Sequence, residues 1–147
     1  MATTFQLSID CADPGLMCRF WSEALGYAVP PAPDGHATWT AFWRSIGVPE
    51  EELADVPDRI DDPDGVGPRL RFQQVPEAKV VKNRLHLDLQ VGGGRELPLD
   101  VRKPRVLAEV ERLKAAGATE LSVLEREGLD HFAVVMQDPE GNEFCVV

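Results

Sequence analysis

Two stretches of this chain carry the same succession of signals, and any fold has to accommodate both. In the first, Phe5-Gln6-Leu7-Ser8-Ile9-Asp10 alternates apolar and polar residues, the period of a strand with one buried face. Asp13-Pro14 then offers an N-cap and a first-turn proline. Leu16, Met17, Phe20, Trp21, Ala24 and Leu25 recur at helical spacing up to Gly26, which predicts a helix over 14–25. A short strand is expected at 27–29, a longer one at 37–43 beyond the turn Pro33-Asp34-Gly35, and a closing one at 69–75. Between the last two, residues 46–68 hold eight Asp or Glu and four Pro, which reads as a solvated loop with at most a helical turn at 50–55.

The second stretch repeats the order. Residues 84–91 alternate, with His86, Asp88 and Gln90 on one face and Leu85, Leu87, Leu89 and Val91 on the other. A helix is expected over 103–116 with a stripe of Val106, Leu107, Val110 and Leu113, closed by Gly117. Strands at 119–126, 130–137 and 142–147 follow, the last one introduced by the turn Asp138-Pro139-Glu140-Gly141-Asn142. The chain therefore reads as α+β, a single domain of two βαβββ modules at about 1–76 and 80–147, related by internal duplication.

A chain of 147 residues can bury one core without disulfide or metal staples. Its formal charge of −10 argues against nucleic acid and anionic membranes, because neutralising phosphates requires clustered cations. No apolar run reaches the ~20 residues that span a bilayer, and the start Met1-Ala2-Thr3-Thr4 lacks the basic residues of a secretory signal. Cys11, Cys18 and Cys145 have no metal-ribbon or redox spacing, so free thiols in a reducing, cytoplasmic setting are expected. Gly92-Gly93-Gly94 lacks the Lys and Ser/Thr of a phosphate loop and reads as a turn.

The repeated βαβββ order, Asp13-Pro14 with Phe20-Trp21, Leu25-Gly26-Tyr27, the midpoint Arg84-Leu85-His86-Leu87-Asp88 and the closing Asp138–Asn142 turn together resemble the vicinal oxygen chelate superfamily, in its glyoxalase-like, bleomycin resistance protein-like branch. That resemblance implies a curved mixed sheet enclosing a cleft. It does not imply one activity, since the superfamily includes glyoxalase I, extradiol dioxygenases, epimerases, fosfomycin-modifying transferases and metal-free drug binders. Its ligand positions fall on Gln6 in the first strand and His86 at the midpoint. Where its metalloenzymes carry a glutamate in the fourth strand this chain offers only Gln73 or Gln74, and the terminal glutamate position is Cys145. Glu143 shares a face with Cys145 but lies one pleat earlier, roughly 6.6 Å away.

A set of Gln, Gln, His and Cys supplies little negative charge for a divalent cation. The expectation is therefore a cleft that binds a small, mainly apolar or aromatic molecule with no cofactor, sequestering it or changing it by acid–base chemistry at His86 with Asp88 as its partner. Gln6, Trp39, Trp43, Gln73, His131 and Cys145 are the candidate ligand contacts. Plainer roles stand beside these: a structural His86–Asp88 contact, Trp39 and Trp43 as core, Cys145 as a small apolar residue and His131 at the rim. The competing expectation is a divalent-metal lyase or dioxygenase using Gln6, His86 and Glu143, or Asp88. A third is a scaffold that pairs with a partner protein. A homodimer is compatible with all three.

Overall fold

In a computed structural model that describes residues 1–53 and 56–147, the chain is a mixed α+β protein with two mixed sheets, one in each of two compact units, residues 1–78 and 79–147. In the first unit, strand β1 (Leu7–Cys11) leads into helix α1 (Pro14–Leu25). The Asp13 side chain accepts the Leu16 N–H at 3.0 Å, and Gly26 ends the helix at φ 71°, the left-handed conformation that glycine adopts without strain. Helix α2 (Trp39–Ser45), a 3-10 turn at Glu50–Glu52, β2 (Arg59–Ile60) and β3 (Leu70–Gln74) complete the unit. The sheet order is β1-β3-β2, with β1 parallel and β2 antiparallel to β3. Met17, Cys18, Phe20 and Trp21 on α1 are buried, as are Ile60, Leu70 and Phe72 on the sheet that α1 packs against.

The second unit follows the expected order: β4 (Asp88–Leu89), α3 (Leu99–Ala116), β5 (Thr119–Glu125), β6 (Phe132–Gln137) and β7 (Glu143–Val146). Its sheet runs β4-β7-β6-β5, with β4 parallel to β7 and the other pairs antiparallel. Val106, Val110 and Leu113 of α3 are buried, as are Phe132, Val134, Met136, Phe144 and Val146 of the sheet beside it. The turn before β7 is closed by one side chain. The buried Asp138 carboxylate accepts N–H groups of Glu140 (3.0 Å) and Asn142 (2.9 Å) and the Asn142 side-chain amide, while Gly141 sits at φ 85°.

Several elements depart from the sequence expectation. Residues 37–43 do not form a strand: Thr38 Oγ1 accepts the Ala41 N–H at 3.1 Å and caps α2. Trp39, Phe42 and Trp43 stand at i, i+3 and i+4, so a helix gathers them on one face as well as a strand gathers alternate residues. The strand at 27–29 shrinks to one bridge, Ala28 to Asp61, because the prolines that follow cannot donate to a ladder. The loop at 46–68 contains β2, and Ile60 within it is fully buried. Of the helical turn expected at 50–55, Glu50–Glu52 is present and residues 54 and 55 lie outside the described residues.

The strand at 84–91 is paired only at its end. Cys145 N–H donates to Leu87 C=O and Val147 N–H to Leu89 C=O, both at 2.9 Å, whereas Leu85 is 81% exposed despite fitting the alternation. Phe5, placed in the first strand by pattern, is exposed and precedes it. Helix α3 begins four residues earlier than expected, carrying Pro104 in its second turn, and Leu107 lies outside its buried stripe.

Candidate functional site

In the second unit, α3 covers the sheet face that carries Val146, Val134 and Met136, and the opposite face is open. Along β7 the burial alternates, Phe144 and Val146 inward, Glu143 and Cys145 toward the open face. The parallel register sets Asp88 directly beside Cys145, with Val135 of β6 on the other side. His86, two residues before Asp88, turns to the same face, and its Nδ1 lies 2.9 Å from Asp88 Oδ1. One ligand atom from each of His86, Asp88 and Cys145 lies within 4.8 Å of the other two.

The electrostatics of this cluster are specific. Burial raises the Cys145 pKa first, the Asp88 charge second and a hydrogen bond to Asp88 third, so the free thiol keeps its proton. Nδ1 donating to Asp88 leaves the His86 Nε2 lone pair for a ligand.

Glu143 is occupied elsewhere. Its carboxylate accepts the Asn83 N–H at 2.9 Å and pairs with Lys79 Nζ at 3.1 Å, and these donors, the backbone one foremost, pull its pKa down to about 2. It anchors the segment leading to β4, which explains why an acid stands one pleat before the cysteine.

The other predicted contacts divide between the units. His131 is half-buried just before β6 in the second unit. In the first, Gln73 accepts from Arg71 Nη1 at 3.0 Å on the exposed face of β3. Gln6 is exposed one residue before β1 and lines a cavity of about 270 Å³ with Asp61, Asp62, Gly65, Gly67 and Arg69. Trp39 and Trp43 stack at 5.4 Å on α2, a helix with no fully buried residue, so the core role is not theirs. Sequence reasoning kept Asp88 and Cys145 apart because their adjacency depends on a parallel register between elements 57 residues apart, which no local pattern encodes.

A sequence profile of the glyoxalase-like domain matches residues 6–147. The chain belongs to this glyoxalase-like domain family. No curated protein matches it at a significant level. Among solved structures it is similar to a glyoxalase/bleomycin resistance protein/dioxygenase family enzyme from Burkholderia phytofirmans, at 18% identity and TM-score 0.59 over 96% of this chain and 94% of that one. It is also similar to the genomically encoded fosfomycin resistance protein FosX from Listeria monocytogenes, at 10% identity and TM-score 0.62 over 99% and 92% of the two chains. A mutant of that protein was solved with Mn(II) and a dihydroxypropylphosphonic acid, and aligns at 10% identity and TM-score 0.62 over 99% and 91%. At such identities these likenesses establish the fold, and the match to the glyoxalase-like domain bears out the resemblance read from the sequence.

The donors of this glyoxalase-like domain fit one class of cation better than another. An imidazole, a carboxylate and a thiolate would neutralise a divalent ion, and the thiolate favours a borderline-soft metal such as zinc over the oxygen-preferring Mn²⁺ or Mg²⁺. Binding would have to release the Cys145 proton that burial and Asp88 now retain.

Proposed function

We propose that this glyoxalase-like domain binds a small, mainly apolar or aromatic molecule, with His86 held by Asp88 as its proton acceptor. The observation that carries the reading is the 2.9 Å contact between His86 Nδ1 and Asp88 Oδ1 on the open face of the second sheet. Asp88 holds the ring in place and selects the tautomer, so that Nε2 meets a bound molecule as a base without reorganising. Val135 of β6 and Leu124 of β5 share that face by register and offer apolar surface beside the polar pair.

A second reading is favoured by the convergence of His86, Asp88 and Cys145 within 4.8 Å: a metal-dependent lyase or dioxygenase in which these three hold a borderline-soft divalent ion. Such an ion would supply a Lewis acid for a carbonyl oxygen or an activated water. His86, Asp88 and Cys145 would hold the ion, while Glu143 stays with Asn83 and Lys79.

Elemental mass spectrometry on tag-free protein, before and after dialysis against Zn²⁺, Ni²⁺, Mn²⁺ and Fe²⁺, separates the two. About one equivalent, lost in both His86→Ala and Cys145→Ala, establishes the metal reading. No metal, together with weakened ligand binding by a His86→Ala protein of unchanged melting temperature, supports the first. A large stability loss with unchanged binding would assign His86 a structural role instead.

Among the described residues no helix is long and apolar enough to cross a membrane. In the same reading the protein works in the cytoplasm as a homodimer, its three cysteines free, and light scattering on purified protein tests the dimer.

A further inference from the structure

The first unit also has an open sheet face, and its chemistry differs. The register orders its side chains into cross-strand rows. In one row Arg69 forks Asp61 through Nε at 2.6 Å and Nη2 at 2.7 Å, closing a charge-neutral pair beside Gln6. In the next row Ser8, Arg71 and Arg59 stand side by side. Arg59 forks Asp58 at 2.7 and 2.9 Å, and its guanidinium lies 4.7 Å from the Trp39 ring centre and 5.0 Å from that of Trp43. The carboxylates of Asp58 and Asp61 are thereby satisfied by planar, bidentate partners.

Among the described residues of this face, Arg71 is the arginine without a bidentate carboxylate partner. Its hydrogen bond goes to the neutral Gln73 side chain, and among the described residues the one carboxylate within 4 Å is Asp58, at 3.8 Å and already forked by Arg59. Its side chain is 38% exposed, next to the exposed Ser8. Asp10 stands one row further on, opposite Gln73.

The aromatic pair is a second, independent observation. Trp39 and Trp43 stack at an interplanar angle of 30°, and Trp39 Nε1 donates to Pro30 C=O at 2.8 Å, so the rings are held in place. They contribute little to the core, since no residue of α2 is fully buried. Rigid, half-exposed indoles over Arg59, with Arg71 paired across the strands from it, are suited to a planar ring that carries a negative charge.

We infer that the open face of the first sheet binds the carboxylate of a small aromatic acid, Arg71 forking the anion and Trp39 and Trp43 flanking the ring. A carboxylate suits the site better than a phosphate, because Asp58, Asp61 and Asp10 already stand near this face and the protein as a whole carries −10, so a singly charged anion meets less repulsion than a doubly charged one. The inference rests on the reading of this domain as a small-molecule binder and narrows the class of molecule.

The test uses 1-naphthoate and its neutral amide, 1-naphthamide, titrated into full-length protein and followed by NMR of the indole N–H signals. Trp21, buried on α1, is an internal control for the fold. The expected result is that naphthoate shifts Trp39 and Trp43 but not Trp21, and that the amide binds about tenfold more weakly. Arg71→Ala should abolish the difference between acid and amide, and Arg71→Lys should retain part of it. Arg71→Gln serves in place of the alanine variant should that one shift the Trp21 signal. Equal affinity for acid and amide, or an acid preference that survives loss of Arg71, would overturn the inference while leaving the small-molecule reading intact. Binding of neither probe at Trp39 and Trp43 would overturn the inference, and the reading at His86 would then be decided by its own metal and ligand measurements.

Discussion

Residues 1–78 and 79–147 use the same pairing plan to different ends. Each sets a parallel pair at one side, β1 with β3 and β4 with β7, and continues with an antiparallel strand. In the second unit the outer position is a full strand, β5, paired to β6 from Thr119 to Glu125. In the first it is a single bridge at Ala28, and the residues beyond the prolines fold instead into the aromatic helix α2. The outer strand can be given up because the cores lie elsewhere, between α1 and β2–β3 in one unit and between α3 and β6–β7 in the other. What is lost in sheet becomes exposed aromatic surface, and the open faces diverge into a charged, aromatic one and one with a compact His–Asp–Cys cluster.

If that account of the cores is right, the largest effects fall at matched positions. Phe72 on β3 and Phe144 on β7 are each 1% exposed. Phe72→Ala and Phe144→Ala should each lower unfolding free energy by about 3–5 kcal/mol, measured by urea denaturation. A loss under about 1 kcal/mol for Phe72→Ala alone would break the parallel, since the reduced sheet would then not be organised around β3.

Carboxylates should separate the units more sharply. Glu143 is 12% exposed and held by a backbone N–H and Lys79, whereas Asp61, paired with Arg69, is 32% exposed and more screened. Glu143→Gln is expected to cost about 1.5–3 kcal/mol and Asp61→Asn about 0–1 kcal/mol. Both pKa values are depressed in the folded state, Glu143 by its hydrogen bonds and Asp61 by the hydrogen bond from Arg69. Their stabilisation is therefore present above the unfolded pKa and lost as pH falls. For Glu143 the window runs from 4.5 down to about 2, so the gap between wild type and Glu143→Gln in urea melts should close across it. A gap that persists at the acid end would mean that the Gln side chain is disruptive in its own right.

How much of this could be read from the chain depends on the range of the interaction. Asp13, Pro14 and Gly26 fix α1 within a few residues of themselves, and the Asp138–Asn142 turn is closed by one side chain, so both were legible. The shared face of Glu143 and Cys145 followed from strand alternation. Residues 37–43 misled because Thr38 has two local meanings, a strand former and a helix cap, and tertiary context chose the cap. At 84–91 the alternation was genuine, but the paired length of β4 is set by β7. The contact of Asp88 with Cys145, and the lack of a bidentate carboxylate partner for Arg71, depend on which strand lies beside which and on who already holds each carboxylate. Periodicity carries no such information.

The smallest expected effect is on reactivity and again sets one unit against the other. Cys18, in the first, is pushed up to about 12, mainly by burial and then by Asp58, and donates its thiol to Pro57 C=O at 3.3 Å. Cys145 is half-buried and held up partly by Asp88, a cause that one substitution removes. Asp88→Asn should leave stability within about 0.5 kcal/mol, as for an exposed site, but lower the Cys145 pKa. The thiolate fraction at mildly alkaline pH then rises, and iodoacetamide should label Cys145 roughly two- to fivefold faster, read by peptide mass spectrometry. Cys11 and Cys18, both buried, should show no change. An unaltered Cys145 rate would mean that the thiol does not feel the carboxylate. The two could not then share a metal ion, and His86 with Asp88 alone would be left to act on whatever binds the second sheet.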